Sequence, residues 1–306
     1  MKNKTALIIG GRGMVGRQIV ELCSKVYDKV CVVDVDFNIP QDLPDNVDYK
    51  PCDMTFKTNT NIIADYNHVY HLAGIKGSPL RAKEKPADYL PMVQFDTNVI
   101  QAVGHWKPDW FLYTSSIGVY PPSEYYKEDD VWNKVPSEND KVPAYIKRMG
   151  ELSCYAIRAT YGYENISIVR PANIYGPYDN FGDESTVIAS LISKGYHNDI
   201  INVWGDGSPI RDFIYSKDVA RGMLHMVENK VTETVNLGSG KETRISDIAN
   251  TIGEYFDKEV KYDKSKPNGD MRRQMDTSRA ESVGFKPNYT LEDGITETIE
   301  WYSNER

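Results

Sequence analysis

Three glycines, Gly10, Gly13 and Gly16, follow the apolar run Ala6-Leu7-Ile8-Ile9 and open an amphipathic stretch over residues 15–26. A strand that ends in such a turn and enters a helix is built to seat a dinucleotide pyrophosphate. Gly10 allows the tight turn, Gly13 lets the backbone approach the phosphates, and Gly16 lets helix and strand pack closely. The helix N-terminus adds unpaired N–H groups and a field that favours an anion. Asp34 closes the next apolar run, about 20 residues further on. A carboxylate there accepts hydrogen bonds from the adenosine ribose and repels a 2′-phosphate, which points to NAD over NADP. Arg12, inside the turn, argues locally for a phosphate partner, and the nearby Asp34 weighs against it. Asp53, after the third apolar run, is a candidate adenine contact.

The elements that must position these groups alternate along the chain. Strands are expected at residues 5–9, 30–34, 48–52, 68–72, 109–115 and 165–170, with helical patterns at 15–26, 92–106 and 146–161. This alternation, with strands that are apolar throughout, predicts an α/β fold: a doubly wound parallel (Rossmann) sheet with a smaller C-terminal α/β substrate lobe. The expected division is a cofactor domain over 1–170 plus about 212–237, and a lobe over 171–211 and 238–306. Residues 212–229 are expected to return to the sheet, with one more strand at 234–237. The polar, proline-bearing stretch 121–143 reads as a long surface loop.

Composition narrows the partners. The chain has 306 residues and a formal net charge of −8, with its cations scattered, which argues against nucleic acid or an anionic membrane surface. The first apolar run is too short for a signal segment or a membrane span. Cys23, Cys31, Cys52 and Cys154 show no pairing or metal-ligand spacing, so reduced thiols in a cytoplasm are expected and no metal. The five histidines, His68, His71, His105, His197 and His225, form no catalytic pattern and read as structural or surface groups.

Further segments, in order along nearly the whole chain, carry a family resemblance: Gly-x-x-Gly-x-x-Gly at 10–16, His71-Leu72-Ala73-Gly74, Asn98, Thr114-Ser115-Ser116, Arg170-Pro171-Ala172-Asn173-Ile174-Tyr175-Gly176-Pro177, Trp204-Gly205-Asp206-Gly207 and Arg211-Asp212-Phe213. Together they resemble the extended short-chain dehydrogenase/reductase family. The segments at 176–181 and 203–205 resemble its GDP-sugar branch, which includes GDP-fucose synthase and GDP-manno-heptose 4-dehydrogenase-like enzymes. The resemblance implies a cytoplasmic homo-oligomer (dimer or tetramer, through the helical stretches 92–106 and 146–161) that acts on a nucleotide sugar in polysaccharide or capsule synthesis. It also implies cofactor contacts from Met14, Val15, Met54, Leu72, Ala73 and Lys147, and substrate contacts from Asn173, Val187, Arg211 and Arg273. Arg272 and Arg273 match a position that closes over the nucleotide, where a guanidinium suits phosphate oxygens.

The family abstracts the carbinol proton with a tyrosine, helped by a lysine four residues later and by a serine or threonine. Ser116 matches the serine position. In Pro143-Ala144-Tyr145-Ile146-Lys147-Arg148-Met149, one register puts Lys147 in the lysine position and Pro143 in that of the tyrosine; the other puts Met149 behind Tyr145. Tyr145 is the expected base, with Ser116 and Lys147 beside it. The altered pair implies slow chemistry or retention of the cofactor as NADH. Ile117 and Gly118 stand where family dehydratases carry acids, and Ile117 and Gly182-Asp183-Glu184 where 3,5-epimerising members carry cysteine and histidine. These absences leave redox at one carbon. The reading is NAD-dependent oxidation at C4 of a GDP-linked manno-type sugar, GDP-manno-heptose among them, giving a 4-keto sugar nucleotide. A 4-epimerase or 4-reductase is the enzyme alternative, and an NAD-binding sensor or scaffold the alternative from another class.

Overall fold

The structure, a computed structural model, describes residues 4–41, 43–77, 79–182, 185–266 and 268–305. In chain order the first part comprises β1 (Thr5–Ile9), α1 (Met14–Val26), β2 (Lys29–Asp34), β3 (Val47–Pro51), β4 (His68–His71), α2 (Pro79–Glu84), α3 (Leu90–Trp106), β5 (Trp110–Thr114), β6 (Tyr125–Tyr126), α4 (Lys141–Tyr161) and β7 (Ile166–Pro171). Then follow β8 (Asn173–Tyr175), α5 (Val187–His197), β9 (Ile200–Trp204), β10 (Ile210–Arg211), β11 (Phe213–Tyr215), α6 (Ser216–Glu228), β12 (Thr234–Leu237), β13 (Thr243–Arg244), α7 (Ile245–Phe256), β14 (Glu259–Asp263), β15 (Arg272–Met275), α8 (Ser278–Ser282) and α9 (Leu291–Asn304).

Seven of these strands form one parallel sheet in the order β12-β7-β5-β4-β1-β2-β3, the doubly wound arrangement expected. Side chains alternate across each strand, so β1 sends Ala6 and Ile8 to one face and Leu7 and Ile9 to the other. The first face packs on α1 and α6 through Ile19, Val20, Val219 and Met223. The second packs on α3 and α4 through Val99, Val103 and Ile157. A separate core, including Ile188, Ile192, Ile201, Ile248 and Ile299, builds the C-terminal lobe.

Three expectations are corrected. Within 212–229, β11 does not join the central sheet; it pairs with β8 in a two-stranded sheet, and only β12 returns to the edge beside β7. The stretch 121–143 is no plain surface loop. Arg170 Nη1 donates to the Glu128 carbonyl at 2.7 Å, and Asn236 Nδ2 donates to the Tyr126 carbonyl at 3.1 Å, so Tyr126, Glu128 and Val131 are drawn into the core. Helix α4 also starts earlier than expected, at Lys141. Pro143 falls in its first turn, where a missing N–H costs nothing.

A fully buried ion pair locks α4 to the sheet. Arg170 donates from Nε and Nη2 to the two oxygens of Glu151, at 2.9 and 2.7 Å, and Ser115 Oγ donates to Glu151 at 2.5 Å. Burial works against the guanidinium charge, but the facing carboxylate more than offsets it and holds Arg170 protonated. We expect Glu151→Gln to cost about 3–5 kcal/mol in denaturant unfolding, and the apolar double replacement of Arg170 and Glu151 to cost less, because only the single change strands a buried charge. Asp212 gives a pH signature. Burial lifts its carboxyl from 3.8 to about 6, so its contribution to stability is complete below the unfolded value and is lost as pH rises through 6. Between about pH 7 and pH 5 the native chain should gain about 1 kcal/mol over Asp212→Asn in unfolding free energy.

Candidate active site

The carboxyl ends of β1, β2, β4 and β5 share one edge of the parallel sheet, and the strand order reverses between β1 and β4, the point where open α/β sheets hold a ligand crevice. Gly10 has φ +85, in the left-handed region, and a Cβ on it would lie 2.6 Å from the Ala73 nitrogen. A Cβ on Gly16 would run into the Gly10 carbonyl, so β1 and α1 could not approach. Gly13, the N-cap of α1, has only the Gly10 oxygen, at 3.5 Å, near its Cβ direction, and no side chain caps the helix there. The first turn of α1, starting with the buried Met14 and half-buried Val15, thus presents open N–H groups, and the turn fits a dinucleotide pyrophosphate. Leu72 N–H donates to the Ile9 carbonyl at 2.9 Å and carries Ala73 over the turn.

At the end of β2, Asp34 Oδ2 accepts the Arg12 backbone N–H at 2.9 Å, which ties the acid to the glycine turn. The Arg12 guanidinium turns away to Asp36, bonding from Nε and Nη2 at 3.2 and 3.0 Å. The hydrogen bond from the Asn38 backbone and the pairing with Arg12 hold the Asp36 carboxyl below its usual range. Asp53 opens a turn by accepting the Thr55 N–H at 2.9 Å, while Met54 is buried and its carbonyl is held by Asn98 Nδ2 at 3.0 Å.

Ser116 follows β5 and accepts the Gly118 N–H at 3.1 Å through its Oγ. Among the described residues its hydroxyl hydrogen has no acceptor. Tyr145 and Lys147 part company on α4. Lys147 is 7% exposed and donates to Asp96 at 3.4 Å, whereas Tyr145 is 44% exposed. The Tyr145 ring lines a groove between α3 and α4 with Val93, Thr97, Met149 and Ser153. Two residues along a helix is about 200° of rotation, so one of the two had to face away. The structure therefore separates the expected pair: Tyr145 lies in the groove between α3 and α4, and Pro143 is the residue one turn before Lys147.

The lobe supplies the other wall. β10 and β15 run parallel with Arg211 and Arg273 as direct register partners, two cations side by side. Arg273 Nη2 lies 2.7 Å from both Asp140 and Asp270, and Arg211 Nη1 donates to the Ile210 carbonyl at 2.8 Å. Burial and the neighbouring Arg273 push the Arg211 pKa down, the sign of a cation short of partners. Asn173 is spent on structure, its Nδ2 donating to the Asp212 carbonyl at 2.8 Å. Val187 is half-buried at the start of α5. Asp183 and Glu184 lie outside the described residues.

Sequence reasoning missed several groups here. A methyl on Gly118 would touch Ser116 Oγ at 3.5 Å and the Asp140 carboxyl carbon at 3.8 Å, so serine and aspartate flank one small space. Lys76 reaches Asp179 at 2.7 Å, and the Arg17 guanidinium stacks 4.3 Å from the Tyr178 ring, tying the glycine turn and the β4 edge to the segment after β8. Tyr178 has φ +66, an uncommon backbone for a non-glycine residue. Only this φ is a local signal, and the sequence does not print it.

Comparison with known proteins places this arrangement. Residues 6–238 match the profile of the NAD dependent epimerase/dehydratase family. GDP-L-fucose synthase 1 of Arabidopsis thaliana is 31% identical over 229 residues, 71% of each chain. The GDP-L-fucose synthase of Sinorhizobium fredii is 27% identical over 315 aligned positions, covering 98% of this chain and 96% of its own. The structure of UDP-N-acetylglucosamine 4-epimerase from Methanobrevibacter ruminantium superposes with a TM-score of 0.88 at 24% identity over the full length of both chains, the same fold. Glycine turn, sheet order and relatives agree, and the chain belongs to the NAD dependent epimerase/dehydratase family, as an enzyme of nucleotide-sugar chemistry.

Proposed function

We propose that the chain oxidises a GDP-linked manno-type sugar at C4, with GDP-manno-heptose as the specific reading, to a 4-keto sugar nucleotide. The observation that carries this is the Arg211–Arg273 pair, set in register and joined through Asp140 to the space beside Ser116, at the start of the helix that carries Lys147. Two adjacent guanidinium groups suit a diphosphate, which accepts paired hydrogen bonds from each. A redox sensor or scaffold has no use for this second anion site. NAD on the glycine turn supplies the hydride acceptor, and the Asp34 carboxylate favours it over NADP.

The proton needs a separate acceptor. Ser116 donates its free hydroxyl hydrogen to the C4 oxygen and orients the carbinol. Asp140, across the same small space, takes the carbinol proton once Arg273 turns from it to the substrate phosphate. The carbinol loses one hydride and one proton, and the product is a ketone. Run backwards, the same groups serve a 4-reductase; run in both directions, a 4-epimerase.

The outer faces of α3 and α4 show Leu90, Val93, Trp106, Tyr145, Met149 and Leu152, each at least 43% exposed. Exposed apolar side chains on two neighbouring helices suit contact with a second copy, and we read the chain as a homo-oligomer through these helices. The sugar product suits polysaccharide or capsule synthesis in a cytoplasm. Among the described residues no helix is long and apolar enough to cross a membrane.

Incubation with GDP-mannose-type substrates and NAD, followed by mass spectrometry, should show a product two mass units lighter with matching NADH; an isomer of unchanged mass would replace this reading with epimerisation. Asp140→Asn should lower kcat about 100-fold or more while Tyr145→Phe stays within about threefold, in steady-state assays. The opposite ranking would return the base to Tyr145.

A further inference from the structure

Four elements converge on one buried carboxylate that the proposed chemistry does not itself use. Asp96, on α3, is 3% exposed and accepts three donors: His71 Nε2 at 2.7 Å from the end of β4, Tyr113 Oη at 2.6 Å from β5, and Lys147 Nζ at 3.4 Å from α4. His71 and Tyr113 are register partners on adjacent strands, so their side chains reach the same point. Burial keeps the His71 ring neutral and the Tyr113 phenol protonated, and both therefore act as donors. Burial also works against the Asp96 charge, but Lys147 and these two donors outweigh it and keep the carboxylate ionised.

Gly150 makes the meeting possible. A Cβ at that position would collide with the Tyr113 hydroxyl, so only glycine lets the phenol pass under α4 to Asp96. The same ring lies beneath the lysine, with Nζ 4.8 Å from its centroid. One ammonium hydrogen is thus taken by Asp96 and one side of the charge rests on the Tyr113 face, at the level where β4 and β5 end. That crevice edge is where Leu72 and Ala73 leave β4 for the glycine turn and where Ser116 leaves β5.

We propose that Asp96 is the positioning residue for Lys147, pinning its ammonium at the crevice floor where it holds the cofactor. This rests on the reading of Lys147 as a cofactor contact. A buried ammonium without a facing carboxylate is strongly disfavoured, so removing Asp96 releases Lys147 from that place. An apolar α3–α4 contact through Val99, Val103 and Ile157 already joins the two helices to the sheet, and their packing does not require the charge pair.

The test is a double-mutant cycle read by NADH binding, followed by fluorescence titration of the full chain, with circular dichroism and thermal melts as controls. Lys147→Met and Asp96→Asn should each raise the NADH Kd about tenfold or more, and the double variant should bind no more weakly than Lys147→Met alone. A purely structural aspartate would give additive losses, which would overturn the proposal. Asp96→Asn with unchanged affinity beside a weakened Lys147→Met would overturn it too, and leave the lysine reading standing. Unchanged affinity in Lys147→Met would remove the lysine reading and the proposal together. Should Asp96→Asn not fold, Tyr113→Phe and Asp96→Glu keep the test: the first leaves the carboxylate in place and should bind NADH within about threefold of the native chain, whereas the second displaces it and should bind more weakly. The reverse order would overturn the proposal.

Discussion

The buried fork between Arg170 and Glu151 is the interaction on which the site depends. It joins the last residues of β7 to the middle of α4, and both partners are wholly shielded from water. Everything at the crevice floor is referred to it. Ser115 bonds to Glu151 and sets where Ser116 leaves the sheet, while Lys147 sits one helical turn before Glu151 on the same helix. Arg170 also donates to the Tyr120 hydroxyl and the Glu128 carbonyl, and Tyr120 in turn donates to Asn236 on β12. Two parallel N–H···O bonds fix the angle of a planar guanidinium as well as its distance, so the pair sets the rotation of α4 about its axis.

That rotation decides the chemistry. With Lys147 turned inward, Tyr145 is carried to the α3–α4 groove and Pro143 stands in the first turn. Besides Lys147, the charged groups brought near Ser116 are Asp140 at the helix start and Arg273 paired with it, with Arg211 beside Arg273. Arg211 and Arg273 oppose each other in register, which is unfavourable between like charges, and Asp140 and Asp270 hold Arg273 in the meantime. In the proposed reaction an anionic substrate takes over the role of those carboxylates, which would link filling of the nucleotide end to release of Asp140 beside Ser116.

Much of this was legible in the residues. All seven strands of the central sheet lie within about a residue of where the sequence placed them; the interior strands read as apolar runs because helices cover both faces, whereas the edge strand β3 alternates, with Asp48 and Lys50 exposed. The glycine turn was legible for an equally local reason: positive φ at Gly10 and the close approach at Gly16 exclude side chains. The stretch 121–143 was misread because its composition is polar. It is buried by partners, Arg170 and Asn236, that lie far along the chain. Asp96 gave no signal either, since a lone acid inside an amphipathic helix looks like a solvated face until β4 and β5 bring His71 and Tyr113 to it.

The chain's own order of residues determined the strand–glycine–helix unit, the acid after β2, the apolar faces of α1, α3 and α4, and the fact that Tyr145 and Lys147 cannot share a helix face. These are matters of period and backbone sterics, settled within a few residues. Which of those two side chains faces the crevice, the meeting of Arg211 with Arg273 across two short strands, and the convergence of four elements on Asp96 were decided only by the tertiary structure. Each depends on distances between remote segments, and those are set by sheet order and by one buried ion pair.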